Sequence, residues 1–545
     1  MAQNAHRGEI AYYNGTVYTA DGRCPKAEAF LVRDGRFHAV GGSEDVARCP
    51  NRVDLRGRCV IPGLVDSHCH ALAGVSQALM RVAQIDAATT PERLGDALRA
   101  AFADRAPEDA RPLAAMGLDL TRGTFSARDI DSAISDRAVV VLSGDGHALL
   151  LNSRAMETLG IDRDTEDCGA DSYFERDGGG NPTGLVLEPP AMMRCKSLLD
   201  AAADAAADLT EPLGTVLDAY AALGYTTIFE AMSVDDGEAS FPEALYRMDA
   251  EGRLPLRFSG SFGYHGEDVL PAREAVALLK GLQRRFSSEH VFWQTMKLFA
   301  DGTVEERTAL LYEPYADAPD TRGSEVTKER ELAEAARRAA AAGFSVHIHA
   351  IGDRAVGNAL RTLRGLGKIA GTKTVAHNQL YGAAEVAALS AAGDVFFQTT
   401  PHWAVADEYT ERALGRERFL RQFPVATMLR GGVTVSFGSD SCLEPATANA
   451  FLGMYYAEAR GDAERCKECY PPRSEGIGRL DSLRAYTING ARQLGLERET
   501  GSITPGKSAD FVILDRDVMT CPLEELKETR AVATCFCGRM TAGEA

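Results

Sequence analysis

The chain has 545 residues, enough for one large domain and one or two smaller ones that each hold a core. Its formal net charge of −19 argues against nucleic acid and anionic membrane as partners. The first residues lack the apolar core of a signal peptide, no run of about 18 apolar residues occurs, and the twelve cysteines follow no disulfide spacing, so a cytoplasmic protein with free thiols is expected.

Residues 9 to 60 read as short strands, Ile10 to Tyr13, Thr16 to Thr19, Ala29 to Arg33 and Phe37 to Val40, with turn signals at Asn14-Gly15, Asp21-Gly22 and Asp34-Gly35. Gly501 to Asp515 and Ala531 to Cys537 also have strand character. Each end is too small for a core of its own. Residues 1–62 and 495–545 are therefore expected to pair into one β-sandwich.

Between these ends, eight buried strands alternate with helical patterns: Leu64 to His68, Thr226 to Glu230, Leu256 to Phe262, Phe292 to Phe299, Ser345 to His349, Lys373 to His377, Val395 to Thr399 and Val433 to Gly438. Glu329 to Ala342 and Ala383 to Ala392 are two of the helices, each running into a glycine before the next strand. Eight is the count for an α/β fold of the TIM (β/α)8 barrel type, built from residues 63–75 and 221–494. The intervening stretch is too long for one crossover. Residues 76–220 read as a subdomain inserted over the barrel mouth, whose own fold the pattern does not define.

Cys466 and Cys469 form the one Cys-x-x-Cys pair, and without a second pair they read as free thiols. In Ser67-His-Cys-His70 the two imidazoles alternate to the same face of a strand and Cys69 to the other, so His68 and His70 make a candidate ligand pair and Cys69 a packing residue. Further nitrogen and oxygen donors stand at later strand ends: Lys297, His349, His377 and Asp440. Their convergence on one opening is what a metal site in a barrel requires. His347, two residues before His349, is a decoy, or a group one layer lower that supports the site. Lys297, between Met296 and Leu298, either pairs with an acid such as Asp301 or carries a reactive amine of the Schiff-base kind. Asp440 reads as a carboxylate ligand or general base, or as the cap of a following helix.

These segments resemble the amidohydrolase superfamily, specifically its YtcJ-like family 3 branch, which includes N-substituted formamide deformylases. The likeness rests on Val60 to His70, Gly146-His147 with Asn152 to Arg154, Met296 to Gly302, His347 to Ala355, Gln398 to His402, Gly438 to Asp440, and Tyr486 to Ala491 with Gly501 to Asp515. One departure is Ala376, where this branch often has a glutamate before the histidine. The resemblance implies a distorted barrel beside a β-sandwich with one or two divalent metals, usually zinc, with manganese or iron as alternatives. His68, His70 and Asp440 would hold one metal and His349 and His377 a second, bridged by a carboxylated Lys297, which displaces the Schiff-base alternative.

The chemistry implied is hydrolysis of an amide, N-formyl or cyclic amide bond of a small molecule by metal-activated water, with Asp440 moving the proton. His147 and His402 are candidates to bind the carbonyl oxygen or orient the substrate. Glu188 is a weaker one, read as a solvated loop acid. Phe125, Tyr173, Phe174, Met192 and Trp403 are candidates for an apolar lining. Deaminases and lactone or ester hydrolases share the scaffold, as would a silent metal-binding protein, which the complete set of donors disfavours. A homodimer is left open.

Overall fold

The computed structural model describes residues 8–80, 82–105, 109–144, 146–168, 172–202, 208–234, 239–382, 393–405, 408–441, 447–460 and 472–544. The helix expected over 383–392 and the Cys466/Cys469 pair lie outside them.

Eight parallel strands follow one another round a nearly closed barrel: β1 (Leu64–Cys69), β2 (Tyr225–Val234), β3 (Arg257–Tyr264), β4 (Val291–Phe299), β5 (Ser345–Ala350), β6 (Lys373–His377), β7 (Val395–Thr399) and β8 (Thr434–Phe437). All eight were legible as apolar runs, because strands flanked by helices bury both faces; every residue of β3 is buried. The helices are one-sided instead. Ala272–Phe286 buries Ala275, Val276, Leu279, Leu282 and Phe286 and turns Arg284 and Arg285 outward. Past the end of β8, the last seam is closed where Asp440 N–H donates to the His68 carbonyl (2.8 Å) and His70 N–H to that of Ser441 (3.0 Å). This close approach requires glycine at 438, where an added Cβ would lie 2.6 Å from the His68 nitrogen.

The termini do come together. A six-stranded sheet pairs Phe511–Leu514 antiparallel with Cys59–Pro62, and a four-stranded sheet built from residues 9–54 packs on it. Tyr12, Phe30, Phe37 and Phe511 fill the space between them, with Phe30 4.9 Å from both Tyr12 and Phe511. The chain passes from sandwich to barrel at Gly63, where a Cβ would lie 2.0 Å from Thr226 Oγ1. A buried ion pair, Arg257 Nη1 to Asp510 Oδ2 at 2.9 Å, ties the start of β3 to the sandwich.

The insertion, whose fold the sequence left open, is a six-stranded mixed sheet with a core on each face, one around Leu94, Val139 and Leu150 and the other around Val140, Leu149 and Phe174. Phe125 and Phe174 belong to these two cores, so they pack the insertion rather than line a pocket. Leu213, Leu217 and Tyr220 of the helix Thr210–Ala222 pack in the barrel core. Among the described residues, no helix is long and apolar enough to cross a membrane.

Candidate metal centre

At the C-terminal mouth of the barrel, His68, His70 and Asp440 each offer one donor atom within 4.8 Å of the others. Asp440 Oδ1 lies 3.1 Å from His70 Nε2 and 3.6 Å from His68 Nε2. Strand alternation places both rings on one side, and Cys69 is buried with its thiol directed at the Phe229 carbonyl (3.4 Å). Asp440 has φ +52, a conformation a non-glycine residue adopts only under constraint. Asp66 supplies part of it: its carboxylate accepts from Ser439 N–H (2.9 Å), Ser439 Oγ (2.6 Å) and His68 N–H (3.2 Å), fixing the ends of β1 and β8 to each other.

Lys297 on β4 places Nζ 3.2 Å from His68 Nε2. Its expected acid is not its partner. Asp301 accepts instead from the backbone amides of Leu310, Ile351 and Gly352 (2.8, 3.0 and 2.8 Å), because the chain turning above β4 and β5 leaves those amides without other acceptors. His347 lies one layer below His349, and its Nε2 meets His68 Nδ1 at 3.0 Å, so it supports the ring of His68.

His377 closes the group from β6. Its ring centroid is 4.4 Å from that of His349 and 4.7 Å from that of His68, and its Nδ1 is 3.5 Å from Asp440 Oδ2. Both of its ring nitrogens are buried without a hydrogen-bond partner. Such an omission costs about 1–3 kcal/mol per group unless something else binds there. His377 also has φ +67, held by Asn378, whose side-chain amide donates to the carbonyls of Val375 and Gln398, and by Gln398 Oε1, which accepts from His377 N–H (3.2 Å). Trp403 stacks flat on its ring at 5.1 Å. Orphaned imidazole nitrogens beside a carboxylate and further imidazoles fit a divalent ion of the zinc type.

Burial holds His68, His347, His349 and His377 well below the ordinary imidazole range, and the Lys297 charge lowers them further. Neutral rings are the ligating form. Burial also lowers His70, but its hydrogen bonds to Asp440 and Glu230 prevail and carry it up to about 9. Lys297 is brought down to about 7 by burial, against the pull of Asp440 and Glu230. Asp301, despite its three amides, is pushed up to about 8 by burial.

The insertion reaches this mouth through His147, whose ring centroid is 6.1 Å from that of His349. Its Nδ1 lies 3.0 Å from Glu188 Oε2, while Glu188 Oε1 accepts from Thr308 Oγ1 (2.5 Å). Glu188 is therefore not the solvated loop acid of the sequence reading. It is fully buried, because the chain after Leu187 turns inward with φ +65 at Glu188. His402 is turned toward the helix Ala450–Ala459, with Nε2 2.8 Å from the Asn449 carbonyl and Nδ1 buried without a hydrogen bond. Burial lowers it to about 4.

The sequence reading passed over Asp66, Glu230 and Gln398. Asp66 and Gln398 sit one or two residues from a proposed ligand or strand end, which is a signal of sorts. Glu230, 3.7 Å from His70 Nδ1 and accepting from Leu72 N–H (2.7 Å), ends the stretch read as the second strand and could have been found by the same rule.

Comparison with known proteins accords with this architecture. The amidohydrolase family model matches residues 52–542. The exoenzymes regulatory protein AepA of Pectobacterium carotovorum is 31% identical, over 78% of this chain and 92% of that protein. The N-substituted formamide deformylase of Arthrobacter pascens is 26% identical, over 96% and 97%. Among solved structures, an uncharacterized metal-dependent hydrolase from Pyrococcus horikoshii superposes with a TM-score of 0.72, at 22% identity, over 95% of this chain and 99% of that one, a likeness of fold.

Proposed function

From the premise that this chain belongs to the amidohydrolase family, and is a hydrolase of carbon–nitrogen bonds, we propose that it cleaves an amide, N-formyl or cyclic amide bond of a small molecule, using one or two divalent ions. Zinc is the first candidate, with manganese and iron next. The observation that carries this reading is the convergence of His68, His70 and Asp440 beside a His377 ring with no hydrogen-bonded nitrogen. The deformylase relative makes N-formyl amines the first substrates to try.

His68, His70 and Asp440 would hold one ion, and His349 and His377 a second, with Lys297, as its carbamate, adding oxygen ligands between them. The chemistry such an ion would supply is a water of pKa lowered toward about 7 and a polarised carbonyl. Asp440, within reach of both ligand sets through its two oxygens, accepts the water proton and passes it to the leaving nitrogen. Glu188 orients His147 through Nδ1, and His147 would bind the substrate carbonyl oxygen or orient the substrate. His402, donating from Nε2 to Asn449, keeps Nδ1 as an acceptor, which suits a substrate N–H better than a carbonyl oxygen. The reading includes a cytoplasmic location, a homodimer as the assembly to look for, and neither nucleic acid nor membrane as partner.

A panel of N-formyl, N-acyl, hydantoin and lactone substrates assayed with metal-loaded wild type and Asp440→Asn tests it. Hydrolysis of a carbon–nitrogen substrate that falls by about 10²–10⁴-fold in Asp440→Asn is the expected result. Turnover unaffected by the substitution, or confined to lactones, would refute it.

A further inference from the structure

The opposite end of the barrel holds a second grouping of reactive side chains. Cys537 occupies the turn between the sandwich strands Ala531–Phe536 and Arg539–Gly543, with φ +51. Its Sγ lies 3.4 Å from Nε2 of His290, the residue that precedes β4. His290 Nδ1 in turn is 2.8 Å from Asp249 Oδ1, and the other oxygen of Asp249 accepts from Ser288 Oγ (2.5 Å) and His290 N–H (3.0 Å). Acid, imidazole and thiol thus stand in sequence, the order in which a carboxylate orients a ring and the ring takes the proton of a nucleophile.

Two further polar groups border the thiol. The buried guanidinium of Arg257 brings Nη2 to 3.9 Å from Sγ, and Ser508 Oγ, which gives its own proton to Asp510 Oδ1, stands 3.3 Å away as an acceptor. Cys537 and His290 are half-buried, so both can be reached from solvent. Burial would lower His290, but Asp249 and Cys537 carry it up to about 10, which keeps the ring protonated beside the sulfur. Cys59 and Cys195 are buried, and burial pushes each thiol up to about 12.

We propose that Cys537 is a reactive thiol and a site of thiol–disulfide exchange with small organic disulfides, with His290 as its base and Asp249 as the residue that positions that base. In the exchange the proton shared between Sγ and His290 stays on the ring while Sγ attacks one sulfur of R–S–S–R. An Sγ–S bond forms and the S–S bond breaks, and the departing thiolate leaves with the bonding pair and takes that proton to become RSH. Cys537 is oxidised to the mixed disulfide and half of the reagent is reduced to thiol, so the step needs no other oxidant. The site is independent of the metal centre, since Lys297 lies six residues further along β4 than Val291, roughly 20 Å at the rise of a strand. It lies on the seam between sandwich and barrel, close to where Arg539 Nη2 donates to the Leu254 carbonyl (2.7 Å).

The charged and titratable groups facing the thiol are His290, Asp249 and Glu289 from the barrel base, Arg257 from β3, and Asp510, Glu499, Cys535 and Arg539 from the sandwich side. The test treats the full-length protein with 5,5′-dithiobis(2-nitrobenzoate), and in parallel with iodoacetamide, and maps labelled peptides over time by mass spectrometry. At about pH 7, Cys537 is expected to react about ten times faster or more than Cys24, Cys168 and Cys521, which are similarly half-buried. His290→Gln should slow it about tenfold at that pH, and the gap should close near pH 9.5, where an ordinary thiol is already ionised. Asp249→Asn, which keeps the ring, should slow it in the same direction if His290→Gln does not fold. Reaction of wild-type Cys537 no faster than that of the other three cysteines overturns the proposal, and so does slowing in the variants that is absent at pH 7 or persists at pH 9.5.

Discussion

The two ends of the barrel bury charge in different ways. At the base, Asp510 accepts from Arg257 Nη1, Thr500 Oγ1, Ser508 Oγ and Cys537 N–H, so a carboxylate that is 2% exposed has both oxygens satisfied. At the mouth, His377 has no hydrogen bond on either ring nitrogen, and His377 and Asp440 both have positive φ. A fold bears such costs only where the surroundings enforce them, as the Asp66 and Gln398 hydrogen bonds do here. Satisfied buried charge marks what holds the molecule together. The two orphaned ring nitrogens of His377, set among a carboxylate and further imidazoles, mark where a ligand fits.

Asp510→Asn should be the most disruptive way to break that contrast. It leaves the Arg257 guanidinium buried without its counter-charge and should cost about 3–5 kcal/mol in urea unfolding, while metal bound per folded chain is unchanged. Equal losses of stability and metal would show that the two ends are coupled. His347→Asn sharpens the comparison from the other side. By withdrawing the group 3.0 Å from His68 Nδ1 it should weaken metal affinity about 10–100-fold, with a smaller change in stability than Asp510→Asn. Isothermal titration of metal into the metal-stripped protein reads the affinity, and urea unfolding reads the stability.

The smallest expected effect is a pH dependence at the base. The folded value of His290, about 10, lies above the ordinary 6.5. Its contribution to stability is therefore present in full below pH 6.5 and is lost as pH rises through about 10. The difference in unfolding free energy between wild type and His290→Gln should shrink across that window, and a difference that grows instead would contradict the pairing with Asp249.

Much of the barrel was legible in the sequence because a parallel strand buried on both faces writes itself as a continuous apolar run, and because a donor at the end of such a run has one place to point. That rule picked out His68, His70, Lys297, His349, His377 and Asp440 as candidate donors, of which His68, His70 and Asp440 stand with donor atoms within 4.8 Å of one another. The partners of Asp301 were not legible, since backbone amides carry no residue code. The burial of Glu188 was hidden for a similar reason: it depends on a turn after Leu187 and on Thr308, 120 positions away. The insertion was opaque because parallel and antiparallel pairs mix in one sheet, and neither period dominates.

Metal content of the purified, metal-reconstituted chain tests the central claim most directly. At least about one zinc, manganese or iron per chain is predicted for wild type, falling well below that in Asp440→Asn while the unfolding midpoint stays close to that of wild type. A wild-type chain that takes up less than about one ion, or an Asp440→Asn chain that holds it as firmly, would contradict the account.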